Sequence, residues 1–211
     1  MIGKSFFMGL ALSSAAFAAT PENVKFAAPD LKRNASLMEA FSKRASATAF
    51  NTQELQTKDL GDLLWAANGI NRSESRKRTA PSAVNAQDID IYVVMKSGAY
   101  LYNAGTHSLT LVSAKDLRAM VASPQAPMAE APVLLVLVSE TARFKHGDEA
   151  SHARLGALDA GIVSQNISLF CAGTGLLTRA RASMDMEGLK KELKLTPTQI
   201  PMLNHPVSYS K

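Results

Sequence analysis

Ala150-Ser-His-Ala-Arg-Leu-Gly-Ala-Leu-Asp-Ala-Gly-Ile-Val-Ser-Gln-Asn-Ile-Ser-Leu-Phe-Cys-Ala172 decides the fold of this chain. Leu155, Leu158, Ile162, Ile167 and Leu169 recur at helical spacing, and Gly173 follows as the expected stop. Its apolar residues spread beyond one face, as expected of a helix covered by neighbours on several sides. Asp159, Gln165 and Asn166 interrupt it. Polar groups inside such a helix need partners from the fold or from a ligand.

Shorter elements surround this helix. Ser36 to Arg44 reads as a helix with Ser36 as N-cap, and Lys58 to Asn68 as a second helix closed by Gly69. Residues 73–85 read as a polar loop. Ile89 to Met95 alternates and is rich in β-formers. Ser97-Gly98 turns it into Ala99 to Tyr102, and Ser108 to Val112 follows, giving an antiparallel meander. Lys115 to Ala122 is expected as a short helix. Pro132 to Ser139 is almost wholly apolar, as in a strand buried on both faces. Gly175 to Arg181 and Val207 to Tyr209 read as strands and Glu187 to Leu193 as a surface helix. Segregated strands and helices indicate an α+β fold.

The domain is residues 36–211. Residues 19–35 lack periodicity and read as an extended arm. Lys4, the apolar run Phe6 to Leu12 and the small residues Ala16 and Ala18 have the order of a signal peptide over residues 1–18, with cleavage after Ala18. The expectation is an exported, periplasmic or secreted protein with no stable membrane anchor, since the apolar run is too short to span a bilayer.

Of 211 residues, 46% are hydrophobic and 19% charged, enough for one core, and the net charge of +5 is not gathered into basic stripes. Nucleic acid is therefore not an expected partner. Cys171 is the only cysteine, which excludes an intrachain disulfide and points to a buried thiol. His107, His146, His152 and His205 sit in contexts typical of turns and surfaces. The sequence has no Gly-x-Ser-x-Gly, no His-Glu-x-x-His and no Gly-x-Gly-x-x-Gly, so it lacks the usual marks of hydrolases and Rossmann dehydrogenases.

Two segments carry groups suited to an anionic, flat ligand. Arg44 and Ser46, two apart in an extended stretch, lie on one side and can grip a phosphate. In Pro81-Ser82-Ala83-Val84-Asn85, small residues allow close backbone approach, and Ser82 and Asn85 offer polar contacts.

In this order the segments resemble the nitroreductase family, nearest its azoline (thiazole/oxazole) dehydrogenase-like branch. The resemblance rests on Arg44-x-Ser46-x-x-x-Phe50, Leu64-Trp-Ala-Ala-Asn-Gly-Ile-Asn-Arg72, Arg78-Thr-Ala-Pro-Ser-Ala-x-Asn-x-Gln87, Leu158-Asp-Ala-Gly-x-x-x-Gln-Asn166 and Gly175-Leu176. It spans the chain from about Leu37 onward. It implies a mixed, mainly antiparallel sheet flanked by helices in a homodimer, with FMN at the subunit interface. It implies ping-pong hydride transfer through the flavin from NAD(P)H to a small-molecule electron acceptor, with the flavin carrying the chemistry and no catalytic side chain required. Arg44 and Ser46 match the phosphate-binding pair. Pro81, Ser82, Ala83 and Asn85 match the loop laid on the flavin by the partner subunit. Gln125 and Asp159 match polar contacts to the ring, and Arg181, Ala182 and Ser183 contacts to its other edge. Lys211 falls near a basic phosphate partner. Thr48 stands where relatives have a second basic residue. The alternative is an exported flavin- or small-ligand-binding module of this fold without redox turnover.

Overall fold

The computed structural model describes residues 22–210. The expected signal peptide and Lys211 lie outside them.

Seven strands form one sheet: β1 (Val24–Lys25), β4 (Ile89–Met95), β5 (Gly98–Asn103), β6 (Ser108–Ser113), β7 (Val133–Glu140), β8 (Leu176–Thr178) and β9 (Gln199–Tyr209), in the order β1-β6-β5-β4-β7-β9-β8. Each neighbouring pair within it is antiparallel. The meander is β4-β5-β6, and Tyr92 opposes Leu101. β4 and β7 are central, and alternation along them divides the core into two layers. Ile89, Ile91, Val93, Val133, Leu135 and Leu137 face one way, while Tyr92, Val94, Leu134, Val136 and Val138 face the other.

Helices cover both layers. On the first lie α2 (Thr57–Asn68), through Leu60, Leu63, Leu64 and Ala67, and α4 (Glu149–Thr174), through Ala160, Val163, Ile167 and Cys171. α1 (Leu37–Lys43) packs outside α4. On the second lie α3 (Arg118–Ala122) and α5 (Met186–Glu192), with Phe50 and Met128 filling between them. This is the α+β architecture expected of the sequence.

α4 starts at Asp148, whose carboxylate accepts the Ser151 N–H at 2.9 Å. It runs past Gly173 to Gly175, whose φ of 76° is the left-handed conformation a helix end favours. Gly173 lies inside the helix because α1 crosses there: a Cβ on it would stand 3.3 Å from the Ala40 Cβ. Gly69 does close α2, but with extended backbone. Its need is space, since a Cβ would lie 2.4 Å from the Trp65 ring.

Two expectations fail in extent. Residues 73–85 are not loop throughout: β2 (Ile70–Arg72) and β3 (Lys77–Arg78) make a small hairpin, anchored by the Arg78 guanidinium on the Asn68 carbonyl at 3.0 Å. The closing strand begins at Gln199 rather than Val207. Pro201 and Pro206 hide it, because proline ordinarily argues against a strand that needs both ladder edges. The described part of the N-terminal arm is tied down. Val24 pairs with Leu109, Phe26 is buried, and Arg33 bridges Asp59 at 2.7 Å and Asp62 at 3.0 Å.

Candidate functional site

The predicted residues fall into two groups. The first lies where α1 leaves the core. Ser36 caps α1 by accepting the Glu39 N–H, and Arg44 ends it. The chain then extends along the sheet, fixed by the Ala47 N–H on the Thr178 carbonyl at 3.0 Å. Arg44, Ser46 and Thr48, two residues apart in turn, are all exposed. The side chains of Arg44 and Ser46 have no partner among the described residues.

Arg181 stands three residues after Thr178, in the stretch that follows β8, and organises that region from inside. Only 6% exposed, its guanidinium donates to the Val121, Ala122 and Ser123 carbonyls and to Asn204 Oδ1, at 3.0, 2.8, 3.3 and 2.8 Å. Its Nε donates to Gln125 Oε1 at 3.0 Å. The guanidinium thus satisfies the C-terminal carbonyls of α3. The donors of the Arg181 side chain are spent within the fold. What it supplies is position. Gln125 is held by its carboxamide oxygen, which leaves its NH2 as a donor, beside the exposed Ala182 and Ser183. The Ser183 carbonyl is taken by Asn204 Nδ2 at 3.0 Å, whereas the Ala182 and Ser183 N–H groups have no acceptor among the described residues.

The second group is the loop Pro81–Asn85. The Ser82 hydroxyl accepts the Gln87 N–H at 2.8 Å, and the Asn85 N–H donates to the Ser82 carbonyl at 3.0 Å. Asp159 of α4 accepts the Ala83 N–H with both oxygens, at 2.9 and 3.1 Å. Val84 and Asn85 have φ of 48° and 57°, and Val84 is 83% exposed. A β-branched residue in left-handed backbone is strained, and such strain concentrates at functional loops. Asp159 itself is buried, so it holds the loop rather than facing outward.

Asp159 sits in the first half of α4, while Gly173, near its end, touches α1. Fourteen residues of helix separate them by roughly 20 Å. Within one chain, the Arg44 group and the Pro81–Asn85 loop therefore lie at separate places along α4.

Two features escaped the sequence. Asp88, just past the loop, is fully buried; burial and the neighbouring Asp159 push its carboxyl up to about 7. His205 is also fully buried, which corrects its reading as a turn or surface residue. It joins Thr178 Oγ1 at 3.1 Å to Ser164 Oγ at 2.8 Å, and burial holds it neutral, with its pKa lowered to about 3. Its place inside a long strand, which the prolines concealed, was the missing signal. Cys171 is buried as expected, and burial pushes its thiol well above the usual range. A cavity of about 380 Å3 lined by Leu55, Met95, Lys96, Arg118 and Val133 includes none of the predicted residues.

The sequence model of the Nitroreductase family matches residues 41–209. The chain belongs to the nitroreductase family. A crystal structure from Ralstonia eutropha JMP134, of a protein taken for a nitroreductase, shares 32% identity, with 90% of each chain covered and a TM-score of 0.84. More distant likenesses show the fold alone. The McbBCD microcin synthetase complex of E. coli has 16% identity, 99% of this nitroreductase-family chain and 79% of the other covered, and a TM-score of 0.72. A Staphylococcus epidermidis protein taken for an NAD(P)H:FMN oxidoreductase has 12% identity, 83% and 87% covered, and a TM-score of 0.63. No curated protein matches the sequence. Family membership makes the chain an oxidoreductase by type.

Proposed function

We propose that this protein is an FMN-dependent oxidoreductase working as a homodimer, in which each flavin is held by the Arg44 group of one subunit and the Pro81–Asn85 loop of the other. The separation of the two groups along α4 carries this reading. A second copy brings the halves together, and the surface offers it a place. Leu37, Met38 and Phe41 of α1 and Leu158 of α4 are exposed, Met38 by 75% and Leu158 by 57%. Exposed apolar groups at two places along the longest helix are suited to an obligate interface.

The residues fit FMN. Arg44 and Ser46 offer a charge-assisted grip for its phosphate, and Lys211 is a further candidate there. Gln125 and the N–H groups of Ala182 and Ser183 supply donors for a carbonyl-bearing ring edge. Pro81, Ser82, Ala83 and Asn85 would close over the ring from the partner. When bound, FMN supplies hydride transfer in a ping-pong cycle, from NAD(P)H to a small-molecule acceptor. The protein's part is to bind and orient. Export rests on the signal-peptide pattern of residues 1–18, and a mature N-terminus at Ala19 in native cells would support it.

The test is the absorbance spectrum of the purified protein, followed by anaerobic addition of NADH or NADPH and then of a quinone or nitroaromatic. A flavin spectrum bleached by the first and restored by the second is expected. A protein that binds flavin without bleaching would instead be a binding module. Arg44→Ala should weaken FMN binding by about 30- to 4,000-fold, since an unpaired desolvated charge costs about 2–5 kcal/mol. Riboflavin affinity should be unchanged. Equal FMN affinity in both proteins would overturn the placement of the phosphate.

A further inference from the structure

Beneath the Pro81–Asn85 loop two acids meet in the interior. Asp88 is 0% exposed and Asp159 4%. Ser139 of β7 donates its hydroxyl to Asp88 Oδ2 at 2.6 Å. α4 is pressed onto this point: a Cβ on Gly156, one turn before Asp159, would lie 2.3 Å from the Ser139 hydroxyl. Asp159 is a near neighbour of Asp88, and its carboxyl raises that of Asp88. Asp88 Oδ1 is buried, and as a bare carboxylate oxygen it would have no partner. A proton on that oxygen makes it a donor to Asp159, and the contact is then satisfied from both sides.

The surroundings do not neutralise two negative charges. Neither acid forms an ion pair among the described residues. On β4, Asp90 is engaged by Arg143 at 2.7 Å, and that arginine's other contact is the Gln87 carbonyl. Glu140, at the end of β7, adds negative charge. Arg78 spends its guanidinium on Gln87 and the Asn68 carbonyl. α2 contributes the uncharged Asn68, bound to the Ile89 carbonyl. On α4, two turns before Asp159, His152 is turned to the His146 carbonyl. His205 of β9 is neutral. Two neighbouring like charges in a dry site disfavour each other, and keeping one proton between them relieves the repulsion.

We propose that Asp88 and Asp159 share a single proton and that this proton positions the Pro81–Asn85 loop for flavin binding. The inference rests on the FMN reading above. In the protonated pair, Asp88 Oδ1–H donates to Asp159, and Asp159 keeps the charge that accepts the Ala83 N–H. That bond holds the loop against the left-handed backbone of Val84 and Asn85. When the proton is lost, the two carboxylates repel, Asp159 turns towards water, and the Ala83 N–H loses its acceptor. Asp88 is then a positioning residue that never touches the flavin.

Two measurements test this, each on wild type, Asp88→Asn and Asp88→Ala. The first is riboflavin affinity from fluorescence quenching between pH 5.5 and 9; riboflavin lacks the phosphate, whose own titration would intrude. Asparagine can donate to Asp159 and accept from Ser139 at every pH. Wild-type affinity should hold below about pH 7 and fall at least 10-fold by pH 8.5, while Asp88→Asn stays level. The second is exchange of the Ala83 amide hydrogen in the flavin-free protein, followed by NMR. It should quicken with pH in wild type beyond the intrinsic base dependence shown by Asp88→Asn, and be fast throughout in Asp88→Ala. Parallel profiles for wild type and Asp88→Asn in both assays would overturn the proposal. If riboflavin and FMN bind none of the proteins at any pH, the flavin reading fails, and amide exchange alone still decides whether the proton holds the loop.

Discussion

Replacing Arg181 by methionine should destabilise the protein more than any surface change. Methionine fills similar space but removes every donor. Five acceptors lose their partner, of which Val121 O, Ala122 O and Asn204 Oδ1 are in buried bonds. Each buried acceptor left unmet costs about 1–3 kcal/mol. Part is returned, because the guanidinium has no carboxylate partner and its own desolvation is relieved. The net loss should be about 3–5 kcal/mol, in the range for breaking a buried network. For a chain of this size that lowers Tm by about 6–20 °C. Urea unfolding followed by circular dichroism measures it, with the midpoint falling and the slope unchanged. Arg181→Lys should lose less, keeping charge but not the fork. Gln125→Ala should cost little, because its side chain is near water. A loss under about 1 kcal/mol in Arg181→Met would refute the view that this arginine caps α3.

Other outcomes follow from single contacts. Gly156→Ala should cost about 1–3 kcal/mol by overpacking against Ser139, read as a lower urea midpoint. Asp88, whose carboxyl titrates at about 7 in the fold, binds its proton more tightly folded than unfolded. Its contribution is complete below about pH 4 and is lost as pH rises towards 7, by up to ~1.4 kcal/mol per pH unit; Asp88→Asn should remove that slope from a plot of stability against pH. Leu158→Glu should yield monomers in analytical ultracentrifugation, and wild type at micromolar concentration should be dimeric. Cys171 should resist a thiol reagent in the native protein and react on unfolding, since it is fully enclosed and its thiolate is disfavoured.

Local chemistry wrote much of the fold directly into the sequence. The alternation of Ile89–Met95, the Ser97-Gly98 turn and the unbroken apolar run to Ser139 set the centre of the sheet, because side-chain period and turn residues act over a few positions. Ser36 announced a helix start for the same reason. The order of short motifs pointed to the family, and the residues around Arg44 and Pro81 were already candidates. What the sequence could not decide depended on neighbours far along the chain. Gly173 has the composition of a stop, yet α1 crossing at that point makes it a spacer, and Gly175 ends the helix. Arg181 looks free in sequence; only packing α3 beside β9 spends its guanidinium on carbonyls some 60 residues away. Asp88 and His205 look like ordinary polar residues until the sheet buries them. Burial and long-range pairing, not residue type, set their charge, and these exist only once the tertiary structure has brought β4, β7, β9 and α4 together.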